Sequence, residues 1–122
     1  IRDALARRPI VIQGDGTPVR SYLYADDLVE WLWAILERGE SGRPYNVGSG
    51  QAVPVRELAQ TVGRVLGSPA PVRVLGRAVP GAADFYVPDV TRAQKELGLC
   101  AKTALLDAIS ASACAENPSA RG

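Results

Sequence analysis

An arginine, two glycine pairs and two adjacent aspartates are the residues here whose types and spacing suit chemistry. Arg20 carries a planar guanidinium fork, which matches paired phosphate oxygens. Gly14-x-Gly16 and Gly48-x-Gly50 are short glycine turns, and such a turn ahead of a helix can present backbone N–H groups to a phosphate. Asp26-Asp27 offers a pair of carboxylates. Each has a plainer role beside the chemical one. Arg20 also reads as a strand-edge arginine, solvated or paired with Asp15. The second glycine pair reads as a loop leading into a helix, and Asp27 is explained as a helix N-cap. Tyr45 and Asn46 read as packing and turn residues, and Trp31 and Trp33 as core.

Other chemistries are excluded by composition. The chain has no histidine, which removes histidine bases, Ser-His-Asp triads and almost every zinc site. Cys100 and Cys114 stand near the end as incidental thiols, so the expectation is a reduced, cytoplasmic protein. Fourteen basic residues against 13 acidic ones give a net charge of +1, with no basic excess to serve a nucleic acid or an anionic membrane. No apolar run approaches the ~20 residues of a membrane span. At 122 residues the chain is sized for one small domain.

The elements that must position these residues are read from periodicity. Residues 1–8 read as the end of a helix stopped by Pro9, and 10–13 as a short strand. Residues 14–18 (GDGTP) are dense turn chemistry. Residues 19–24 read as a strand, and Asp26-Asp27 as the start of a helix running to Gly39. That helix is apolar on every face between Leu28 and Leu36, Glu30 apart, so it is expected to be enclosed on all sides. Residues 45–48 read as a strand. Residues 54–66 carry a clean amphipathic stripe, and 72–75 read as a strand. Residues 77–88 lack a pattern. A short helix capped by Asp89 or Thr91 ends at Gly98, and a last helix covers 103–113. Residues 1–115 form the expected domain and 116–122 a frayed tail. Strands alternating with helices give an α/β fold whose sheet is at least partly parallel.

The run from Gly14 to Gly67, with GDG-xxx-R, a strand, an aspartate opening a helix, YN-x-G and an ELA-type helix, resembles the C-terminal portion of the NAD-dependent epimerase/dehydratase family. The later PDVTRAQKELG resembles the family's D-x-(S/T)-(K/R)-A-…-LG element. These are extended short-chain dehydrogenases acting on nucleotide sugars. The resemblance implies the C-terminal part of a Rossmann-type enzyme with a small substrate-binding α/β subdomain. It implies NAD(P), bound mainly by an N-terminal part, oxidation at the sugar C4 to a 4-keto intermediate, and a homodimer in the full enzyme. The implied partner of this portion is a nucleotide-diphosphate sugar, with Arg20 on the diphosphate.

The cofactor and catalytic motifs of that family are absent from these residues. Gly14-x-Gly16 and Gly48-x-Gly50 each lack the third glycine, with Val19 and Val53 in its place, and no tyrosine has lysine four residues on. No catalytic residue is therefore expected here. With no starting Met, the chain reads as a fragment, inactive alone. A second phosphate site of the family, Arg-x-Gly-Asp, aligns on Gly81 but finds Val79 and Ala82 in place of its arginine and acid. Arg77 and Asp84 are the candidates to replace them. Pro54 replaces a usual Ser or Thr, which predicts a helix start weaker by ~1 kcal/mol. The rival reading is a stand-alone, non-catalytic α/β module that binds a nucleotide or a partner chain.

Overall fold

A computed structural model describes residues 1–78, 81 and 84–116. The first helix, α1 (Arg2–Leu5), stops before Pro9. Arg7 adopts a positive φ of 53°, and the N–H groups of Arg7 and Arg8 close back onto the carbonyls of Ala4 and Asp3. That is a Schellman ending with arginine at the left-handed position. Beyond it come β1 (Ile10–Ile12), β2 (Val19–Arg20), α2 (Ala25–Arg38), β3 (Val53–Pro54), α3 (Val55–Val65), β4 (Val72–Val74), β5 (Phe85–Tyr86), α4 (Thr91–Leu97) and α5 (Leu105–Glu116).

The strands form two small sheets. In one, β1 and β4 run parallel, Ile10 opposite Val72. In the other, β2 is central, antiparallel to β3 and parallel to β5. The expected α/β class with parallel pairing is what forms. Three local expectations differ. The strand over 19–24 is cut to two residues, because Ser21 leaves the ladder and its hydroxyl accepts the Ser49 N–H at 3.0 Å. Residues 45–48 join no ladder; Tyr45 and Val47 pack against Trp31, Val90 and Ala93, and Asn46 Nδ2 donates to the Asp89 carbonyl at 2.9 Å. The patternless stretch after Arg77 contains β5.

The turn at residues 14–18 organises the start of α3. Asp15 Oδ1 accepts the Thr17 N–H at 2.9 Å, an Asx turn, and Gly16 takes a φ of 78°. The carbonyls of Pro18 and Gly16 accept the N–H groups of Val55 and Arg56, the first two residues of α3. Those amides need partners that Pro54 cannot supply from a side chain. Pro54 makes no side-chain cap bond, as expected, and the turn at residues 14–18 supplies backbone acceptors in its place. A Cβ at Gly16 would stand 3.0 Å from Arg56 Cβ, so the close packing requires glycine.

Two apolar clusters result. Ala4, Val62 and Ile109 join α1, α3 and α5. Trp31, Val90 and Ala93 join α2 to α4. Within the described residues α2 is enclosed on one side only. Asp27, Trp31 and Ala34 are buried, but Val29, Leu32, Trp33 and Leu36 are exposed, an apolar stripe at i, i+3, i+4, i+7. Trp33, read as core from the sequence, is 60% exposed. The periodicity registered two apolar stripes, and the chain covers one. Among the described residues no helix is long and apolar enough to cross a membrane. The frayed tail expected over 116–122 falls, apart from Glu116, outside the described residues, and Glu116 ends α5 with its carboxylate on Arg2 at 2.9 Å.

Candidate functional site

Arg20 sits on β2 at the centre of the three-stranded sheet, in register with Tyr86 of β5. The β2–β5 pairing begins where the Val19 N–H donates to the Asp84 carbonyl at 2.8 Å. That bond draws the residue ahead of β5 against Arg20. Arg20 Nη1 donates to the Val19 carbonyl at 2.9 Å and the Asp84 carbonyl at 3.0 Å. Arg20 Nη2 donates to the Asp84 carboxylate. The arginine side chain keeps 32% of its surface exposed and Asp84 63%. Arg20 therefore pairs with Asp84 rather than Asp15, whose carboxylate is taken up by Thr17.

Of the three candidate substrate residues, the structure brings Arg20 and Asp84 into contact. Arg77 is exposed beyond β4, and among the described residues no hydrogen bond or ion pair links it to the other two. Val79 and Ala82, the positions of the altered second phosphate motif, lie outside the described residues. Two cavities among the described residues do not have Arg20 in their lining. One of about 400 Å³ is lined by Tyr22, Leu23, Tyr24, Leu58 and Ile109, and one of about 360 Å³ by Trp31, Trp33, Arg38 and Lys102.

Asp27 has a role that spacing did not reveal. It does not cap α2: Tyr24 holds the cap position, with no side-chain bond. Its buried carboxylate accepts the N–H groups of Lys102 and Thr103 at 3.0 and 2.9 Å and the Thr103 hydroxyl at 3.1 Å. It pins the segment ahead of α5 to α2, 75 residues away in sequence. Asp26 is exposed, so the two carboxylates do not act as a pair. Ser49 is engaged with Ser21, hydroxyl to hydroxyl at 3.1 Å. On the rim of α4, Arg43 clamps Glu96 at 2.5 and 3.0 Å, and Tyr45 donates to the same carboxylate at 3.0 Å. The Arg43 hydrogen bond first, then the one from Tyr45, holds Glu96 below the usual carboxylate range.

Two of the four glycines in the two glycine pairs are closed to a phosphate. A phosphate cradle needs glycines whose missing Cβ leaves room for the ligand. At Gly16 and Gly48 that room is already filled, whereas a Cβ at Gly14 would meet nothing. Arg56 lies against Gly16, and at Gly48 an added Cβ would meet Pro88 Cγ at 2.4 Å.

Comparison with known proteins agrees with the geometry of the fold. Residues 1–48 match the NAD dependent epimerase/dehydratase family. Over 64 residues, 52% of this chain and 10% of the relative, the chain is 39% identical to a trifunctional UDP-glucose 4,6-dehydratase of Arabidopsis thaliana that is also an epimerase and a reductase. It is 32% identical to the dTDP-glucose 4,6-dehydratase of Streptomyces griseus, over 84% of this chain and 31% of that one. The crystal structure of UDP-glucose 4-epimerase from Thermotoga maritima with UDP-glucose superposes with a TM-score of 0.84 at 24% identity, covering 98% of this chain and 38% of that one. The chain thus spans well under half the length of these relatives. By its matching residues and its fold together, this chain belongs to the NAD-dependent epimerase/dehydratase family.

Proposed function

We propose that these residues are the substrate-holding portion of a nucleotide-sugar epimerase or dehydratase, with Arg20 as the diphosphate ligand. The observation that carries the reading is the state of that guanidinium. Two backbone carbonyls fix Nη1, so the plane of the fork is set by the sheet, while the side chain keeps 32% of its surface exposed. A preorganised fork of this kind suits paired oxyanions. Asp84 is the acceptor we assign to a ribose hydroxyl, and Arg77 the second cation toward the phosphates. The reaction class we assign to the whole enzyme is oxidation at the sugar C4 through a 4-keto intermediate. The open stripe of α2 is the surface we assign to the cofactor-holding region of that enzyme. A cytoplasmic homodimer is the setting, with no role for nucleic acid or membrane; the free, exposed Cys100 and Cys114 suit a reducing compartment.

Calorimetry with UDP-glucose and dTDP-glucose tests the reading. Binding abolished by Arg20→Ala supports it, and binding unchanged by that substitution removes Arg20 from the site. The same exposed stripe also suits a stand-alone binding module. A reading frame that runs into position 1 from a dinucleotide-binding region with Tyr-x-x-x-Lys would end that alternative.

A further inference from the structure

We infer that Asp84 is the resident anion of the Arg20 site, holding the guanidinium until a diphosphate displaces it. The inference rests on the assignment of Arg20 to the diphosphate. With Nη1 bonded to two carbonyls, the donors left for a bidentate oxyanion are Nε and Nη2. Nη2 already carries the Asp84 carboxylate. Nη2 has two N–H groups and Asp84 engages that nitrogen through one bond, so a diphosphate held at Nε and the other Nη2 N–H arrives beside a negative charge at contact distance, and like-charge repulsion drives the carboxylate off. Binding is therefore an exchange of one anion for another.

Three features make the exchange feasible. Asp84 is the more exposed partner, so its carboxylate can be rehydrated when it lets go. Its carbonyl stays bonded to the Val19 N–H, so release moves a side chain and leaves the ladder intact. The guanidinium keeps its two carbonyl contacts throughout, so it does not have to be ordered again. A consequence is selectivity. A single carboxylate offers Arg20 no more than Asp84 already supplies locally, whereas a diphosphate brings more charge and a second pair of oxygens. The carboxylate set free then faces the bound ligand with an open acceptor.

Pyrophosphate, which has no ribose, isolates the exchange. Titrated calorimetrically into the chain, it should bind Asp84→Asn about threefold to tenfold more tightly than the unaltered protein, the size of a part-exposed ion pair plus relieved repulsion. In the Arg20→Ala background, Asp84→Asn should bring no gain. Asp84→Ser is the second variant, expected to tighten binding likewise, and thermal melts confirm that each variant is folded. Unchanged or weaker pyrophosphate binding by both Asp84 variants, with Arg20→Ala still weakening it, overturns the exchange and leaves Arg20 as the phosphate ligand. Binding indifferent to Arg20→Ala in every background overturns the phosphate assignment itself.

Discussion

Trp31 and Trp33 stand two residues apart on α2 and meet opposite surroundings. Trp31 is 2% exposed, packed on Val90 and Ala93, and its Nε1 donates to the Cys100 carbonyl at 3.3 Å. Trp33 faces outward with Val29, Leu32 and Leu36. One side of the helix is closed by α4 and the segment pinned by Asp27; the other is also apolar and stays largely exposed within the described residues. Burial of an aromatic depends on what the rest of the chain places against it. Composition alone gives the two indoles the same expectation.

The sharpest way to break this contrast is Trp31→Ala. Removing a fully packed indole and leaving a cavity between α2 and α4 should cost about 3–5 kcal/mol in urea unfolding. A loss below ~1 kcal/mol would mean that the Trp31 side is no more closed than the Trp33 side. Asp27→Ala should come next, at about 1–3 kcal/mol, because it leaves the part-buried Lys102 and Thr103 N–H groups without their acceptor. Asp27→Asn should lose less, since its amide oxygen can still accept one of them. The two aspartate variants read out by the same denaturation distinguish a lost hydrogen bond from a lost charge.

How much of this was legible in the sequence depends on the range of the interactions. α3 shows its stripe locally, and Gly98, at φ 69°, ends α4 as its position implies. β1 and β4 show as short β-prone runs. β3 and β5 do not, because two residues carry no period, and each exists through a partner far away: Val53 opposite Arg20 and Phe85 opposite Val19. Asp27 misled for the same reason. An aspartate in the first turn of a helix looks like a local cap, and its partners lie 75 and 76 positions on. At the candidate site, family likeness pointed to Arg20, and Asp84 was named only as a replacement for the acid missing at Ala82. Their contact required a parallel pairing across 64 residues that no spacing encodes.

A smaller effect tests the rim of the closed side. Glu96 joins α4 to Arg43 and Tyr45, and its carboxyl is held below the usual range. A depressed native pKa stabilises the fold above the unfolded value of about 4.3, and that stability is lost as pH falls through the native value. The urea midpoint of the unaltered chain should therefore exceed that of Glu96→Gln at pH 7, and the difference should close as the pH is lowered through and below that range. A difference that persists undiminished at pH 3 would show that the carboxylate does not join α4 to that rim.

The least effect on stability belongs to the other tryptophan. Trp33→Ser removes mostly exposed apolar area, so unfolding should shift by no more than about 1 kcal/mol. Binding of a hydrophobic dye should fall at the same time, because the substitution interrupts the stripe formed with Val29, Leu32 and Leu36. Stability tracks what the chain already covers, and dye binding tracks what it leaves open, so the two readouts should separate at Trp33 and nowhere on the Trp31 side. If Trp33→Ser instead destabilises the chain by several kcal/mol, residues of this same polypeptide close over the stripe in solution, and the surface assigned to a cofactor-holding region is part of its own core.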